Sequence, residues 1–432
     1  MKKILFFLLI MFTFGLSGCS ERTDVGNVSE IGNQEKEELI LAGVDFNDNI
    51  VLAVQNFNQV SEDTVIILKD YGNQSGVLSN DILLSIYNDV MNGNIADMYI
   101  MSPSSLWPID ILIEQDRFVD LYPFLDNDLD ISKNDFFPTI LETVERDDKL
   151  FYFPISYTLQ GILGMPEYCD GSRFPVDQIS ELCHLYPEND ILFGTLSSMD
   201  LINMELSQNW ELYVNWVTRE CNFNSKRFRE VLEGAYNLPE YRPSSREEVI
   251  DYATGAYLLG GKQIFMPYTV SDFEGYLMMT EGMNGSKVKL NPYGGNMVSL
   301  TLTDSEVVLD IRSSFAITNV CKNPDTAWEF LQTFLGLEYQ KSLLTATAPA
   351  LPINTLAFVA ERNKLLAEGK GKKEDFDYIQ GMIESAKTVV SSDLQIESIV
   401  YEEVSDYFAN QKTAEDAAKI IQDRVSAYLK KY

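Results

Sequence analysis

Hydrophobic and polar positions alternate beyond the N-terminal segment in a way that predicts strands separated by helices. The runs Leu39–Val44, Thr64–Leu68 and Asp97–Met101 are short, apolar and rich in aliphatic residues, which is typical of buried strands. Between them, Ile50–Val60 and Asn80–Met91 carry apolar residues three and four positions apart, the spacing of one helix face. This order predicts parallel strands joined by crossover helices.

The second half of the chain shows further strand patterns. Phe151–Ile155 is an extended run that contains a proline, and Val307–Ile317 has the composition of a strand. Gln263–Met266 predicts a short strand that ends at Pro267 and Tyr268. The turn-forming cluster Asn291–Gly295 is a candidate crossing between two parts of the protein.

Two helices in this half have clear start signals. Asn323 stands before Pro324, so we expect Asn323 to cap a helix with proline in its first turn. Thr413 is expected to cap a second helix near the C-terminus. The predicted buried faces are Ala327, Phe330, Leu331, Phe334 and Leu335 in the first helix, and Ala417, Ile421, Val425 and Tyr428 in the second.

The N-terminus resembles a bacterial lipoprotein signal. Two lysines precede the run Ile4–Phe14, which is apolar apart from one threonine and is too short to span a bilayer. Leu16–Cys19 then resembles a lipobox, which implies cleavage before Cys19 and attachment of a lipid to its thiol. The alternatives are an ordinary secretory signal with a chance cysteine, or a buried apolar helix. The polar residues 20–38 predict a flexible tether.

Composition narrows the possible partners. Removal of residues 1–18 leaves 31 basic against 65 acidic residues, a net charge of −34. Such a charge argues against nucleic-acid binding and against a surface that lies on anionic lipid. About 414 mature residues are too many for one simple core, so two lobes or domains are expected.

The sequence offers few groups for metal binding or catalysis. His184 is the only histidine, which excludes a metal site with several histidines. A Ser-His-Asp triad would have to use His184, and no neighbouring residue pattern supports one. Cys169 and Cys183 could form a disulfide, or could be isolated buried thiols like Cys221 and Cys321. No cofactor is predicted.

Two acidic segments invite a calcium interpretation. In Asp45–Ile50 and in Asp126–Ile131, oxygen-bearing side chains occupy alternate positions, but glycine and the final bidentate glutamate of the calcium loop are missing. Both segments agree better with a solvated turn or a helix start.

Several segments occur in the order found in one family of binding proteins. They are Ala96–Tyr99, Phe118–Leu125, Lys149–Pro154, Asn323–Phe330, Ala350–Asn354 and Lys412–Ala418. Their order and spacing, behind a lipobox, resemble the extracellular solute-binding proteins of ABC importers (family 1, maltose-binding-protein-like). The resemblance covers nearly all of the mature chain. The sequence lacks that group's obvious series of cleft tryptophans.

The resemblance implies an α/β, two-lobed periplasmic-binding-protein-like (type II) fold with a ligand cleft between the lobes. About three crossings between lobes are expected, near residues 152–156, 288–294 and 340–350. The implied organisation is a signal peptide at 1–18, a lipidated cysteine and tether at 19–38, lobe 1 at 39–153 and 293–338, and lobe 2 at 154–292 and 339–432.

Candidate ligand contacts are polar and aromatic residues near predicted strand ends and crossings, because a sugar presents both hydroxyls and apolar C–H faces. They are Asp45, Phe46, Trp107, Tyr157, Gln160, Tyr268 and Tyr293. Asp97 is expected to be structural, and Arg312 is expected to form a salt bridge rather than to bind ligand.

The predicted function is that of a monomeric, membrane-anchored protein on the extracellular face that delivers a small solute, most plausibly a carbohydrate, to an ABC permease. One alternative is a surface lipoprotein glycosidase that uses paired carboxylates, since only two acids at the correct separation are needed. Another is an adhesin or interaction scaffold without a closing cleft.

Overall fold

The strands of the protein form one large mixed sheet and a small hairpin. They are seen in a computed structural model that describes residues 36–72, 80–102, 109–164, 194, 196–238, 244–253, 263, 265–281, 298–300 and 308–431. The chain divides into two units, Met1–Lys36 and Glu37–Tyr432, and all elements below belong to the second. The predictions for Cys19, Trp107, Cys169, Cys183, His184 and Tyr293 lie outside the described residues.

The strands are β1 (Glu37–Gly43), β2 (Thr64–Asp70), β3 (Met98–Met101), β4 (Phe153–Gly164), β5 (Val214–Asn215), β6 (Glu220–Cys221), β7 (Phe265–Val270), β8 (Val298–Leu300), β9 (Val308–Ile317), β10 (Leu351–Pro352) and β11 (Thr388–Val389). In the sheet the order is β10-β4-β9-β3-β1-β2, with β7 and β8 on β4 and β11 on β9. β1 pairs in parallel with both β2 and β3, which confirms the predicted parallel arrangement. β9 runs antiparallel to β3 and β4.

The helices are α1 (Asp48–Val60), α2 (Asn80–Met91), α3 (Ile109–Glu114), α4 (Tyr122–Asn127), α5 (Pro138–Val144), α6 (Ser198–Gln208), α7 (Trp210–Tyr213), α8 (Lys226–Tyr236), α9 (Arg246–Ala253), α10 (Phe273–Glu281), α11 (Pro324–Leu335), α12 (Leu337–Ser342), α13 (Thr355–Ala367), α14 (Lys373–Ser385), α15 (Leu394–Phe408) and α16 (Ala414–Leu429). Among the described residues, no helix is both long and apolar enough to cross a membrane.

Both predicted helix caps are confirmed. The Asn323 side chain accepts a hydrogen bond from the Thr326 amide at the start of α11, with Pro324 in the first turn. Thr413 likewise accepts from the Asp416 amide at the start of α16. The predicted inner faces of both helices are buried.

The two acidic segments are a helix start and a turn. The Asn47 side chain accepts from the Ile50 amide and caps α1. The Asp128 carboxylate accepts from the amides of Asp130 and Ile131 and from Trp328 Nε1. Within the described part of the chain, no group of three or more His, Cys, Asp or Glu side chains is placed to hold a metal ion.

The predicted end of one strand is wrong. β7 continues through Pro267 and Tyr268 to Val270, and Pro267 stands opposite Ile162 of β4. Among the described strands β7 pairs only with β4, so it is an edge strand of the described sheet. A proline, which has no amide hydrogen, is tolerated on such an edge strand.

The buried residues form two hydrophobic clusters. The sheet core surrounds the large sheet and includes Leu41, Tyr99, Phe153 and Phe315. The helical core lies among α6, α8, α15 and α16 and includes Leu201, Phe228, Val400 and Ile421. The predicted lobe boundaries and crossing positions stay predictions.

Candidate functional site

The adjacent strands β4 and β9, in the middle of the large sheet, carry several polar side chains on one face. Thr158 stands opposite Asp310 in the register, and Gln160 follows two residues later on the same face. The alternate positions, among them Tyr157 and Ile311, are fully buried in the sheet core. The polar face therefore breaks the apolar pattern expected of buried strands.

Hydrogen bonds join this face to helix α6. Gln160 Nε2 donates to Asp310 Oδ2 at 2.9 Å, and Gln208 Nε2 at the end of α6 donates to Gln160 Oε1 at 3.4 Å. Arg312 Nη1 lies 3.2 Å from the same Asp310 oxygen, which confirms the predicted salt bridge. We call Thr158, Gln160, Gln208, Trp210 and Asp310 the polar cluster.

Four buried atoms of the polar cluster have no hydrogen-bond partner among the described residues. They are Thr158 Oγ1, Gln208 Oε1, Trp210 Nε1 and Asp310 Oδ1. An unsatisfied buried polar atom costs about 1–3 kcal/mol, so folded proteins normally provide each with a partner. Thr158 and Asp310 stand opposite each other, Gln208 is hydrogen-bonded to Gln160, and Trp210 lies two residues beyond Gln208. The unsatisfied atoms of this cluster therefore indicate a place where a polar ligand or ordered water completes the hydrogen bonding.

Gln208 and Trp210 also line a cavity of about 220 Å³ between the two cores. One wall comes from residues 208–212, beside the helical core. The lining also includes residues 109–110, 143–146 and 152, of which Ile109, Val144 and Tyr152 belong to the sheet core, and residues 387–392. A concave space with convergent polar groups is the usual form of a small-molecule site.

Charged and phenolic groups set the electrostatics of this cavity. Arg146 forms an ion pair with the buried Asp110. Burial alone would lower the pKa of Arg146, but the Asp110 carboxylate outweighs this effect and the pKa is raised. Burial raises the pKa of Tyr152 to about 12, so its phenol remains a hydrogen-bond donor at neutral pH. The lining also contains one further acidic residue, Glu211, and one further basic residue, Lys387.

The predicted contacts occupy several different places. Gln160 belongs to the polar cluster, whereas the neighbouring Tyr157 points to the opposite, apolar face. Asp45, in a left-handed turn after β1 (φ 48°), donates its amide to Asp70 Oδ1, and Phe46 packs against the sheet core. Tyr268 is half-buried in β7, and its burial raises its pKa. Ligand binding by these residues stays a prediction.

The sequence analysis missed four members of the polar cluster. Asp310 could have been noticed as a polar residue within the predicted strand Val307–Ile317, whereas Thr158 lies beyond the predicted run Phe151–Ile155. Gln208 and Trp210 flank the junction of α6 and α7, and no local pattern marks them, because their position depends on tertiary packing.

No family model matches the chain, and no curated protein matches it. Solved structures do match. An ABC substrate-binding protein from Listeria monocytogenes in complex with cycloalternan is 11% identical, with a TM-score of 0.55 over 92% of this chain and 100% of that one. The sugar-binding protein MalE from Xanthomonas citri is 15% identical, with a TM-score of 0.57 over 91% and 98%. A de novo designed cysteine esterase is 15% identical, with a TM-score of 0.55 over 92% and 98%.

The chain has the fold of the two-lobed solute-binding proteins. The predicted α/β fold class is thereby confirmed. In this solute-binding-protein fold the polar cluster and the cavity lie where the sheet core meets the helical core. The designed esterase has the same fold, so the fold alone does not decide between binding and catalysis.

Proposed function

We propose that this protein is the solute-binding component of an ABC importer and that it binds a carbohydrate between its two cores. The observation that carries the proposal is the set of four unsatisfied buried atoms. Three of them are oxygens that accept hydrogen bonds, and the indole N–H of Trp210 donates one. A sugar hydroxyl both donates and accepts, so a polyhydroxylated ligand satisfies both kinds of atom.

The similar structures support this ligand class. The Listeria protein was solved with cycloalternan, and the Xanthomonas protein is named as sugar-binding. We extend the proposal to the location of the protein: lipid attached to Cys19 anchors it on the extracellular face of the cell membrane, where it delivers solute to a permease. The lipobox and the polar residues 20–38 support this part.

Binding is tested by thermal unfolding of residues 20–432 with mono- and oligosaccharides, and with amino acids and peptides as controls. A ligand at one hundred times its Kd adds about 2.7 kcal/mol of stability, which raises Tm by about 3 °C in a chain of this size. A shift with one sugar family supports the proposal. A shift only with peptides or amino acids contradicts the carbohydrate assignment.

The site is tested with Asp310→Asn and Trp210→Phe. Loss of a hydrogen bond to a charged group costs about 1.5–3 kcal/mol, so we expect Asp310→Asn to weaken sugar binding at least about tenfold in calorimetric titration. Trp328→Phe is the matched control, because Trp328 bonds Asp128 and does not line the cavity. Equal affinities for all three variants would place the ligand elsewhere.

A glycosidase remains the second candidate because two further carboxylates line the cavity. Glu145 and Glu211 are both part of its wall, and burial raises the pKa of Glu145 as a general acid requires. Turnover of chromogenic glycosides that disappears in Glu145→Gln would favour this candidate. We expect no turnover, because the proposed protein binds its solute without chemistry.

A further inference from the structure

A buried carboxylate lies next to the cavity-lining segment of the helical core. Glu205 in α6 is completely buried, yet it belongs to the residue types that are almost never buried without partners. Its carboxylate accepts hydrogen bonds from Arg227 Nε at 2.7 Å and Nη2 at 3.2 Å, from Tyr213 Oη at 2.5 Å and from Asn209 Nδ2 at 3.0 Å. Glu205 therefore joins α6, the α6–α7 junction, α7 and α8.

The hydrogen bonds of Glu205 bracket the two cavity-lining residues of the polar cluster. Asn209 lies between Gln208 and Trp210, and its backbone N–H also donates to the backbone carbonyl of Glu205 at 3.0 Å. Tyr213, at the far end of α7, is held by the same carboxylate. Both ends of the segment 209–213 are thus fixed to one side chain, and the cavity-lining Trp210 lies between them.

The charge of this carboxylate is balanced within the helical core. Arg227 contacts it through two nitrogens, the two-pronged geometry that gives the strongest and most directional ion pairs. Although burial opposes it, the hydrogen bond to Glu205 raises the pKa of Arg227. Without Arg227 the completely buried Glu205 carboxylate would be left uncompensated, which is strongly unfavourable. The pair therefore resists rearrangement of the segment that it holds.

We propose that Glu205 is a positioning residue: with Arg227, it holds Gln208 and Trp210 in the orientation that receives the ligand. This inference rests on the proposed function for its ligand, although its structural part can be tested without one. Preorganised side chains lose less freedom on binding, so Glu205 raises affinity without contacting the solute.

The first test is hydrogen–deuterium exchange of the unliganded protein carrying Glu205→Gln. We expect amides of residues 207–214 to exchange at least about tenfold faster than in the unchanged protein, because the local opening of this segment becomes easier. Glu403→Gln is the matched control: Glu403 is also buried and paired, with Arg424 and Lys412, but it lies in α15 and does not line the cavity. An equal acceleration of exchange at residues 207–214 in both variants would overturn the proposal.

The second test uses the sugar found by thermal unfolding. We expect Glu205→Gln to weaken sugar binding by about tenfold or more. Glu403→Gln should leave the affinity within about threefold, even where the two variants lower Tm by the same amount. Equal weakening in both variants would show that Glu205 acts only on stability. If the exchange test succeeds while no sugar binds, the carbohydrate assignment fails and the positioning of segment 207–214 stands.

Tyr213→Phe serves where Glu205→Gln does not fold. It removes one hydrogen bond to Glu205 and leaves the Arg227 ion pair in place. We expect a smaller rise in exchange, confined to residues 207–214. No rise there would contradict the proposed role of Glu205.

Discussion

At the scale of single residues, Asp393 is a carboxylate under opposing influences. It caps α15 and accepts hydrogen bonds from the amides of Gln395 and Ile396, which favour its ionised form. Burial works in the other direction and is the larger effect, and the charge of Asp110 adds to it. Together they raise the pKa of Asp393 to about 6.

The raised pKa of Asp393 predicts a pH-dependent stability. The folded protein holds this proton more tightly than the unfolded chain does, so the stabilisation is complete below about pH 4 and is lost as pH rises through 6. We expect Asp393→Asn, which keeps a capping side chain, to be more stable than the unchanged protein at pH 7 by up to about 3 kcal/mol and equal to it at pH 4. Urea unfolding from pH 4 to 8 measures this difference.

The control for Asp393 is Asp81→Asn, at an exposed position in the first turn of α2. It removes one carboxylate from the strongly acidic chain without removing a buried one. Parallel stability curves for Asp393→Asn and Asp81→Asn would show that Asp393 does not titrate in the expected range.

At the scale of secondary-structure elements, what could be predicted is what local sequence decides. The caps Asn323 and Thr413 and the apolar stripes behind them fix α11 and α16, because capping and helix periodicity act within a few residues. The parallel pairing of β1 with β2 and β3 follows from the alternation of strand and helix patterns.

The site was less predictable because it is assembled from distant segments. Gln160 and Asp310 are 150 residues apart in the chain, and their hydrogen bond depends on the antiparallel register of β4 and β9. The sequence analysis predicted the strand that became β9 but only the first residues of β4, and it had no means of pairing the two. Gln208 and Trp210 reach the same place only because the helical core packs beside the sheet core.

One buried side chain in α12 connects several elements and predicts a large effect. Gln340 Nε2 donates to the carbonyls of Ile155 and Phe334, while its Oε1 accepts from the amides of Ile353 and Asn354. Gln340→Met keeps the approximate shape but leaves four buried backbone groups without this partner. We expect the free energy of unfolding to fall by about 3 kcal/mol, measured by urea unfolding.

Gln380→Met is the control for Gln340. Gln380 is half-buried in α14, and its Nε2 donates a solvent-exposed hydrogen bond to Glu384 Oε1 at 2.7 Å. We expect the control to change the free energy of unfolding by less than about 0.5 kcal/mol. A similar loss in the two variants would mean that the hydrogen bonds of Gln340 contribute little to joining these elements.

At the scale of the whole molecule, side chains of opposite charge from different segments line the cavity. Arg146 stands beside the sheet core and Glu211 beside the helical core, and the charge of Glu211 contributes to the raised pKa of Arg146. Arg146 is ion-paired with Asp110, and both follow residues of the sheet core, whereas Glu211 follows Trp210 of the helical core. Separation of the two cores would therefore move Glu211 away from Arg146 and leave the Asp110 pair intact.

This arrangement predicts that Glu211 favours the closed form of the unliganded protein. Exposed charge pairs contribute about 0.2–1 kcal/mol, so we expect Glu211→Gln to increase the ratio of open to closed molecules by up to about fivefold. Small-angle scattering should then show a larger radius of gyration at low salt, with the difference from the unchanged protein shrinking as salt screens the attraction. Glu220→Gln, an exposed change in β6 away from this cavity, should have no effect. Equal radii for Glu211→Gln and the unchanged protein at low salt would exclude an electrostatic contribution of Glu211 to closure.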